Sequence, residues 1–380
     1  MTAPVYLDYN AATPIAPEVV AAMRPFFEEH FGNPSSSHRY GERAREAVAT
    51  ARRQVAGLVG AEPEEICFTG GATEANNLAI QGAARARPDR RHLVTSAIEH
   101  PSVLAPIRAL EAQGWEVTIV PVDPYGQVSV AAVARAVRKD TVLVSIMHAN
   151  NETGTLQPVR DIAAVAHACG ALMHTDAAQS AGKVPLDVRA LSVDFLTLAG
   201  HKFYAPKGVG ALYRAATAPP LVPILFGGGQ EAGMRPGTEN VPAIVALGQA
   251  AQLAAHGLGT FPTHWMSLRD HLHRLLDDQI PGLCLNGHPT ERLPNTLNLS
   301  FPNVDAAALL AAVASEVAAS VGSACHEGAS GGSATLNAMG LAPKRIAGAI
   351  RFSVGLRLDK SQIDDAARAL ILAWPRYARS

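Results

Sequence analysis

Three short segments in the middle of the chain carry residue types suited to chemistry. The first is the glycine-rich turn 69–74, which follows the strand-like run 66–68 and opens an Ala/Leu-rich helix. Free backbone N–H groups at a helix start, together with the Thr73 hydroxyl, make an anion site suited to a phosphate. The turn matches neither a Walker loop nor a dinucleotide fingerprint. By itself it is better explained as a tight turn that needs glycine.

The second and third segments each place one ionisable residue after an apolar, strand-like run. Asp176 ends the run 171–176, where a carboxylate is costly to desolvate unless it is paired. A protonated pyridine nitrogen would pair with it, and N-capping of a following helix explains it equally well. Lys202 follows 194–198, and a desolvated lysine amine can form a Schiff base with an aldehyde cofactor. Taken alone, a solvated loop lysine is the simpler explanation.

The combination of these segments is more informative than any one of them. A phosphate cradle, a strand-end carboxylate and a strand-end lysine are the groups that pyridoxal 5′-phosphate (PLP) requires. They occur here in that order along the chain. The sequence therefore predicts a PLP enzyme.

The elements that must position these residues alternate along the chain. Short β-branched runs lie at 92–96, 117–120, 141–147, 171–174 and 195–198, with helix candidates at 73–87, 101–113 and 159–169. This alternation predicts an α/β fold with a mostly parallel, doubly wound sheet, which binds ligands at the carboxyl ends of its strands.

The pattern changes after about residue 257. Helix candidates at 265–279 and 305–319 flank strand-like pieces at 296–300 and 349–354. We predict a large PLP-binding domain over 16–257, and a smaller α/β domain made of 1–15 and 258–380.

Composition restricts the possible partners. The chain has 380 residues, of which 48% are apolar and 17% charged, and its formal net charge is −1. This balance suits a large buried core and makes nucleic acid or an anionic membrane an unlikely main partner. The first residues lack a signal-peptide pattern, and the apolar stretch 306–321 is interrupted by Ser315 and Glu316. The four cysteines are too sparse for a disulfide framework, so we expect a reducing cytoplasm and no bound metal.

The sequence resembles the cysteine desulfurases of the class V aminotransferase family over nearly its whole length. The matching stretches are YLDYNAATP (6–14), FGNPSSSH (31–38), FTGGATEANN (68–77), EHPSV (99–103), SIMHANNETG (145–154), HTDAAQSAG (174–182), AGHKFYAPKGVG (199–210), GGGQEAGMRPGT (227–238), GSAC (322–325) and IRFSVG (350–355). The resemblance implies the PLP-dependent transferase fold of type I.

The resemblance also implies roles around the cofactor. Lys202 would form the Schiff base and later move the Cα proton, and Asp176 would bind the pyridinium nitrogen. His100 would stack on the ring and could serve as an acid or base. The remaining cofactor-binding residues implied in this way are Ala72, Thr73 and His201 for the phosphate, Asn151 and Gln179 for the phenolic oxygen, and Thr238 contributed by the neighbouring subunit of a homodimer.

The resemblance assigns the reaction to Cys325, in Gly-Ser-Ala-Cys-His at 322–326. Arg351, assisted by Asn33, would hold the carboxylate of L-cysteine in a fork that suits a guanidinium. Cys325 would take the substrate sulfur as a persulfide, leave alanine, and pass the sulfur to an acceptor protein, a thiol or an iron–sulfur scaffold. His326 could help to ionise Cys325, and a plain loop residue is an equally good explanation of it. The other cysteines are expected to be buried, inert thiols: Cys67, Cys169 and Cys284.

Two departures from the family pattern concern the phosphate and the sulfur acceptor. Ala199 stands where relatives often have serine, and 327–332 is glycine-rich where they often carry an acidic-proline pair. The ordinary length of this segment favours the long-loop, iron–sulfur-assembly type. Three alternatives stay open: a selenocysteine lyase, a class V aminotransferase or β-lyase that does not need Cys325, and a cofactor-holding platform with little turnover.

Overall fold

The largest sheet lies in the part of the chain that carries the three polar segments. The structure is a computed structural model, and it describes residues 3–322 and 332–378. In chain order its strands are β1 (Val5–Tyr6), β2 (Ile66–Thr69), β3 (His92–Ser96), β4 (Glu116–Val120), β5 (Thr141–Ser145), β6 (Leu172–Asp176), β7 (Phe195–Ala199), β8 (Gly210–Arg214), β9 (Cys284–Asn286), β10 (Thr296–Ser300), β11 (Val317–Ala318) and β12 (Ala349–Ser353).

Helices connect these strands and cover the sheet. In chain order they are α1 (Pro17–Met23), α2 (Pro25–Glu28), α3 (Arg39–Val59), α4 (Ala72–Ala86), α5 (Pro101–Glu111), α6 (Val130–Ala136), α7 (Val159–Ala168), α8 (Val188–Leu191), α9 (Val241–Gly257), α10 (Phe261–Asp277), α11 (Ala306–Ala312), α12 (Ala334–Ala338), α13 (Pro343–Ala347) and α14 (Lys360–Tyr377).

The largest sheet is mostly parallel, as the sequence predicts. Its strand order is β2-β8-β7-β6-β5-β3-β4. The strands β4, β3, β5, β6 and β7 run parallel to one another, and β8 is antiparallel to both β7 and β2. Because β2 and β7 are both antiparallel to β8, they point in the same direction. The carboxyl ends of β2, β3, β5, β6 and β7 therefore meet at one edge, where open α/β sheets bind ligands.

The inner strands of this sheet are buried along their whole length, including polar residues such as His92, Thr95 and Thr175. All residues of β3, β5, β6 and β7 are buried, as expected of strands that helices cover on both faces. Helix α4 packs against the sheet through buried side chains that include Leu78 and Ile80. Truncating such a leucine to alanine costs roughly 2–5 kcal/mol. This packing fixes the start of α4 against the sheet edge.

A smaller sheet has the order β12-β10-β9 and is antiparallel. The N-terminal strand β1 pairs in parallel with β11, and Asp8 bridges to Ser353 in β12. The helix predicted at 305–319 is wrong in its second half, because α11 ends at Ala312 and Val317 pairs instead with Val5. Tertiary pairing here overrides the helix propensity of an alanine-rich run. The division into two domains stays a prediction.

No single helix in the described ranges is both long and apolar enough to cross a membrane, although α9 and α10 pass that test as a pair bent by 76°.

Candidate active site

A cavity of about 390 Å³ opens at the carboxyl edge of the parallel strands. This volume lies within the range of about 300–1,000 Å³ that is usual for small-molecule sites. The predicted site residues that line it are Ala72, Thr73, His100, Asn151, Asp176, Gln179, His201, Lys202 and Arg351. The structure thus brings together side chains from across the chain, from the turn after β2 to β12.

The glycine-rich turn forms the cavity wall where α4 begins. Gly71 has φ = 142°, which strains any residue with a Cβ, and it precedes the first residue of the helix. A Cβ at Gly210 in β8 would lie 2.8 Å from Gly71 Cα, so the turn sits directly against the sheet. Glu74 Oε2 accepts from Gly70 N at 2.8 Å and fixes the loop. The free N–H groups at this helix start and the Thr73 hydroxyl fit a phosphate.

His201 also lines the cavity, from the single turn that follows β7. Burial, with the nearby charges of Lys202 and Lys207, lowers the pKa of His201 to about 4. Without a bound anion its ring is therefore neutral at pH 7. It offers an anionic ligand an N–H donor, while Lys207 at the cavity wall supplies charge.

Asp176 ends β6 with its carboxylate buried at the cavity. Its Oδ2 accepts from Asn76 Nδ2 at 2.7 Å, and its Oδ1 accepts from Ala178 N at 2.9 Å. The residues that follow form turns, so Asp176 does not cap a helix. These neutral donors hold the carboxylate without neutralising its charge. A protonated ring nitrogen in the cavity would provide that missing charge.

His100 is joined to Asp176 through two polar side chains that sequence reasoning did not assign. Ser102 N donates to His100 Nδ1 at 3.1 Å, and Asn76 Nδ2 lies 2.8 Å from Ser102 Oγ and 2.7 Å from Asp176 Oδ2. A backbone N–H can only donate, so Nδ1 is an acceptor and the neutral ring carries its proton on Nε2. Both Asn76 and Ser102 belong to matched stretches, and the strand-end pattern gave no separate signal for either.

Lys202 approaches the cavity from the turn after β7. Its Nζ donates to the carbonyl oxygens of Asn10 at 2.7 Å and Ala11 at 2.8 Å. Gln179 Nε2 donates to the same Asn10 oxygen at 3.0 Å. The N-terminal segment after β1 is therefore part of the site and holds the amine. Sequence reasoning missed this role because it uses backbone carbonyls, which no residue type reveals.

Arg351 lies in β12 with 2% of its side chain exposed. Its Nη2 is 2.7 Å from Asp8 Oδ1, and its Nη1 donates to the Asn151 carbonyl at 3.1 Å. Ser320 Oγ donates to the other Asp8 oxygen at 3.0 Å. The guanidinium is thus oriented at the cavity wall before any ligand binds, which suits recognition of a carboxylate.

Two predicted residues do not line the cavity. Asn33 is exposed and its Oδ1 accepts from Ser35 N at 2.9 Å, and Thr238 is also exposed. Cys325 and His326 lie outside the described residues.

The other cysteines differ from one another in burial. Cys67 is buried, and burial raises the pKa of its thiol. The prediction of burial is wrong for Cys169 and Cys284, which are partly exposed because the first follows the end of α7 and the second begins the edge strand β9. Among the described residues no group of three or more His, Cys, Asp or Glu side chains is placed to hold a metal.

The site residues fit PLP on chemical grounds. The start of α4 can bind an anion, the buried Asp176 carboxylate has no cation among its described partners, and the Lys202 amine is held by two carbonyls, all at one cavity. These are the groups needed for the phosphate, the pyridine nitrogen and the aldehyde of that cofactor.

Comparison with known proteins identifies the family to which the chain belongs. The family model described as aminotransferase class-V matches residues 5–365. The chain is 45% identical over 361 residues to cysteine desulfurase 2 of Trichormus variabilis, covering 95% of this chain and 90% of the relative. It is 45% identical over 374 residues to cysteine desulfurase IscS of an Anaeromyxobacter species, covering 98% and 92%.

Solved structures give the same result. A NifS-like protein superposes with a TM-score of 0.91 at 35% identity, covering 98% of this chain and 99% of that one. A structure described as SspA in complex with cysteine has a TM-score of 0.83 at 38% identity, covering 93% and 99%. The chain therefore belongs to the class V aminotransferase family and, within it, to the PLP-dependent cysteine desulfurases.

Proposed function

We propose that this enzyme removes sulfur from L-cysteine, releases L-alanine and carries the sulfur as a persulfide on Cys325. The observation that carries the proposal is the convergence of Lys202, Asp176, His100 and Arg351 on one cavity. The reaction balances without an external oxidant. The Cβ–Sγ bond of cysteine breaks and an S–S bond to Cys325 forms. Cβ keeps the electron pair of the broken bond and takes up the proton given up by one of the two thiols, so alanine is the reduced product and the transferred sulfur is oxidised.

When bound, PLP withdraws electrons from the substrate Cα and so permits cleavage of the Cα–H bond. Lys202 would attach the cofactor, and its amine, once released by the substrate, would move the proton at Cα. Asp176 would pair with the ring nitrogen. His100 would present its Nε2 proton, because Nδ1 already accepts from Ser102 N.

The substrate would be oriented by its carboxylate at Arg351. Because that guanidinium is buried and anchored to Asp8 and to the Asn151 carbonyl, it has little freedom to follow a misplaced ligand. A fixed carboxylate and a fixed amine together determine which side of the substrate faces Cys325. We propose L-cysteine as the substrate on this basis and on the relatives' names.

We further propose a homodimer with Thr238 reaching the partner's cavity. Thr238 and Asn33 are exposed and stand away from their own cavity. Large aromatic side chains are also exposed: Phe226 is 84% accessible, Phe31 72% and Tyr40 57%. Such side chains commonly mark an interaction surface. Mixing Thr238→Ala with Lys202→Ala subunits tests the dimer, because shared sites would restore part of the lost activity.

Two finer assignments complete the proposal. The persulfide would pass to an acceptor protein or an iron–sulfur scaffold, and the enzyme would act in the cytoplasm, where thiols stay reduced. Thiol chemistry at Cys325 supports a reducing compartment.

The test is mass spectrometry of the purified protein after exposure to L-cysteine, with alanine measured in the same sample. We expect one added sulfur on Cys325 and alanine release that Cys325→Ala abolishes. Alanine release that survives Cys325→Ala would overturn the persulfide step. Pyruvate and ammonia as products would indicate a β-lyase, and a strong preference for selenocysteine would indicate a selenocysteine lyase.

A further inference from the structure

A buried lysine that the proposed reaction does not use lies behind the cavity. Lys183 lies four residues after Gln179 and is 4% exposed. Its Nζ donates to Gln179 Oε1 at 3.0 Å. The charges that act on it are those of Lys202 and Arg351, and burial is the largest of the effects that lower its pKa well below the usual value. Keeping an amine here is costly, so its contact needs an explanation.

The contact determines how the Gln179 amide is turned. Lys183 Nζ can donate in either charge state, and the Asn10 carbonyl can only accept. The observed arrangement directs Oε1 to Lys183 and Nε2 to Asn10 O, at 3.0 Å in both cases. Turning the amide over would place Oε1 against the Asn10 oxygen, acceptor against acceptor. Lys183 and the Asn10 carbonyl therefore favour the same orientation of the Gln179 amide.

This orientation matters because Gln179 lines the cavity. The amide nitrogen has two hydrogens, and Asn10 O takes one of them. The second is the one that an oxygen atom of a ligand would receive. The same Asn10 oxygen accepts from Lys202 Nζ at 2.7 Å, so the amide and the reactive amine share one anchor.

We propose that Lys183 is a positioning residue that holds the Gln179 amide with its N–H group toward the cavity, as a donor to an oxygen of the bound cofactor. The inference rests on the proposed function, since it takes that oxygen to be the ring oxygen of PLP. Lys183 itself touches neither cofactor nor substrate.

The pairing can be tested without the cofactor by a double-variant cycle in the full-length, PLP-free protein. Gln179→Met leaves Lys183 buried with no acceptor, and Lys183→Met leaves Gln179 Oε1 without a donor, so each lowers the Tm. Replacing both partners by apolar side chains of similar length removes both penalties. We expect the double variant to lose less in Tm than the sum of the two single variants.

Lys207→Met is the control for this cycle. It removes a lysine that lines the cavity but is exposed and makes no hydrogen bond to Gln179 among the described residues. Its effect on Tm should add to that of Gln179→Met. If Lys183→Met fails to fold alone, folding of the double variant supports the pairing, and failure of both overturns it. Additive Tm losses for Lys183→Met and Gln179→Met would also overturn it.

The cofactor contact is tested by titrating the visible absorption band of the PLP-loaded protein with pH. A donor to the ring oxygen withdraws negative charge that otherwise favours a proton on the Lys202 nitrogen. Losing that donor should raise the midpoint in Lys183→Met by about half a pH unit or more, a roughly threefold change in the protonation equilibrium. Gln179→Met should raise it equally. An unchanged midpoint in Lys183→Met refutes the positioning role. A wild-type protein that forms no visible band with PLP refutes the proposed function instead, and the pairing of Lys183 with Gln179 is then tested by the Tm measurements alone.

Discussion

Replacing Arg351 by alanine should weaken the use of L-cysteine by a calculable amount. The guanidinium is 2% exposed and is oriented by Asp8 at 2.7 Å and by the Asn151 carbonyl at 3.1 Å. A hydrogen bond to a charged group contributes roughly 1.5–3 kcal/mol, so a forked pair whose two bonds each contribute about 1.5–2 kcal/mol contributes about 3–4 kcal/mol. We therefore expect Arg351→Ala to lower kcat/KM about 100- to 1,000-fold.

Part of that loss could come from Asp8 rather than from the substrate. Arg351→Ala removes the cation beside Asp8, whose side chain is 17% exposed and keeps its hydrogen bond from Ser320 Oγ. The double variant Asp8→Ala/Arg351→Ala removes the stranded carboxylate as well. If the loss lies in substrate binding, the double variant should be as impaired as Arg351→Ala. Recovery in the double variant would show that the unpaired Asp8 caused the loss.

The assay follows alanine release against L-cysteine concentration, together with the spectral change on binding of L-cysteine and of cysteamine, which lacks the carboxylate. The wild-type protein should bind L-cysteine more tightly than cysteamine, and Arg351→Ala should bind them nearly equally. Arg351→Lys keeps the charge but loses the fork, so its kcat/KM should lie between the two. The reasoning is refuted if Arg351→Ala keeps kcat/KM within threefold, or still distinguishes the two ligands as the wild type does.

Three further predictions concern the groups around the cofactor. Burial raises the pKa of Glu99 to about 8, above its unfolded value of 4.5, so ionised Glu99 increasingly destabilises the folded state as the pH rises from 4.5 to 8. In urea unfolding, the stability of Glu99→Gln relative to wild type should therefore rise by roughly 2 kcal/mol from pH 6 to pH 8. A difference that stays constant with pH would contradict this. Gly71→Ala strains a residue at φ = 142° and should weaken PLP binding about 5- to 100-fold in equilibrium dialysis, whereas Gly57→Ala, in open space on α3, should leave it unchanged. Ser102→Ala removes the hydroxyl beside His100 but keeps the backbone donor, so ¹⁵N spectra of the ring should still show the proton on Nε2; a proton on Nδ1 would refute the assigned tautomer.

The sheet was predictable because its signal is physical and local. The runs at 92–96 and 296–300 agree with β3 and β10 residue for residue, since short runs bounded by turn signals are typical of strands even where polar residues interrupt them. The end of α11 was not predictable in the same way. Val317 turns to strand only because Val5, more than 300 residues away, offers it a pairing partner.

The site was predictable where its chemistry resides in side chains at strand ends. Asp176 and Lys202 stand out because an ionisable residue is unusual at the end of a buried strand or in the turn that follows it. The groups that hold them do not stand out. Lys202 is anchored by the backbone carbonyls of Asn10 and Ala11, and any residue type supplies a carbonyl. Lys183 has no visible role until its contact with Gln179 is seen.

These hidden contacts explain how the site is organised before the cofactor binds. Asn76 ties Asp176 to helix α4, whose first turn we propose as the phosphate cradle, so a shift of that helix displaces the carboxylate as well. The Asn10 carbonyl likewise ties Lys202 to the segment that leads from β1. The groups that we propose for the phosphate, the ring nitrogen and the aldehyde thus have relative positions that are fixed by the sheet and by one N-terminal segment. Because a rigid site loses little freedom on binding, most of the interaction energy with the cofactor can appear as affinity.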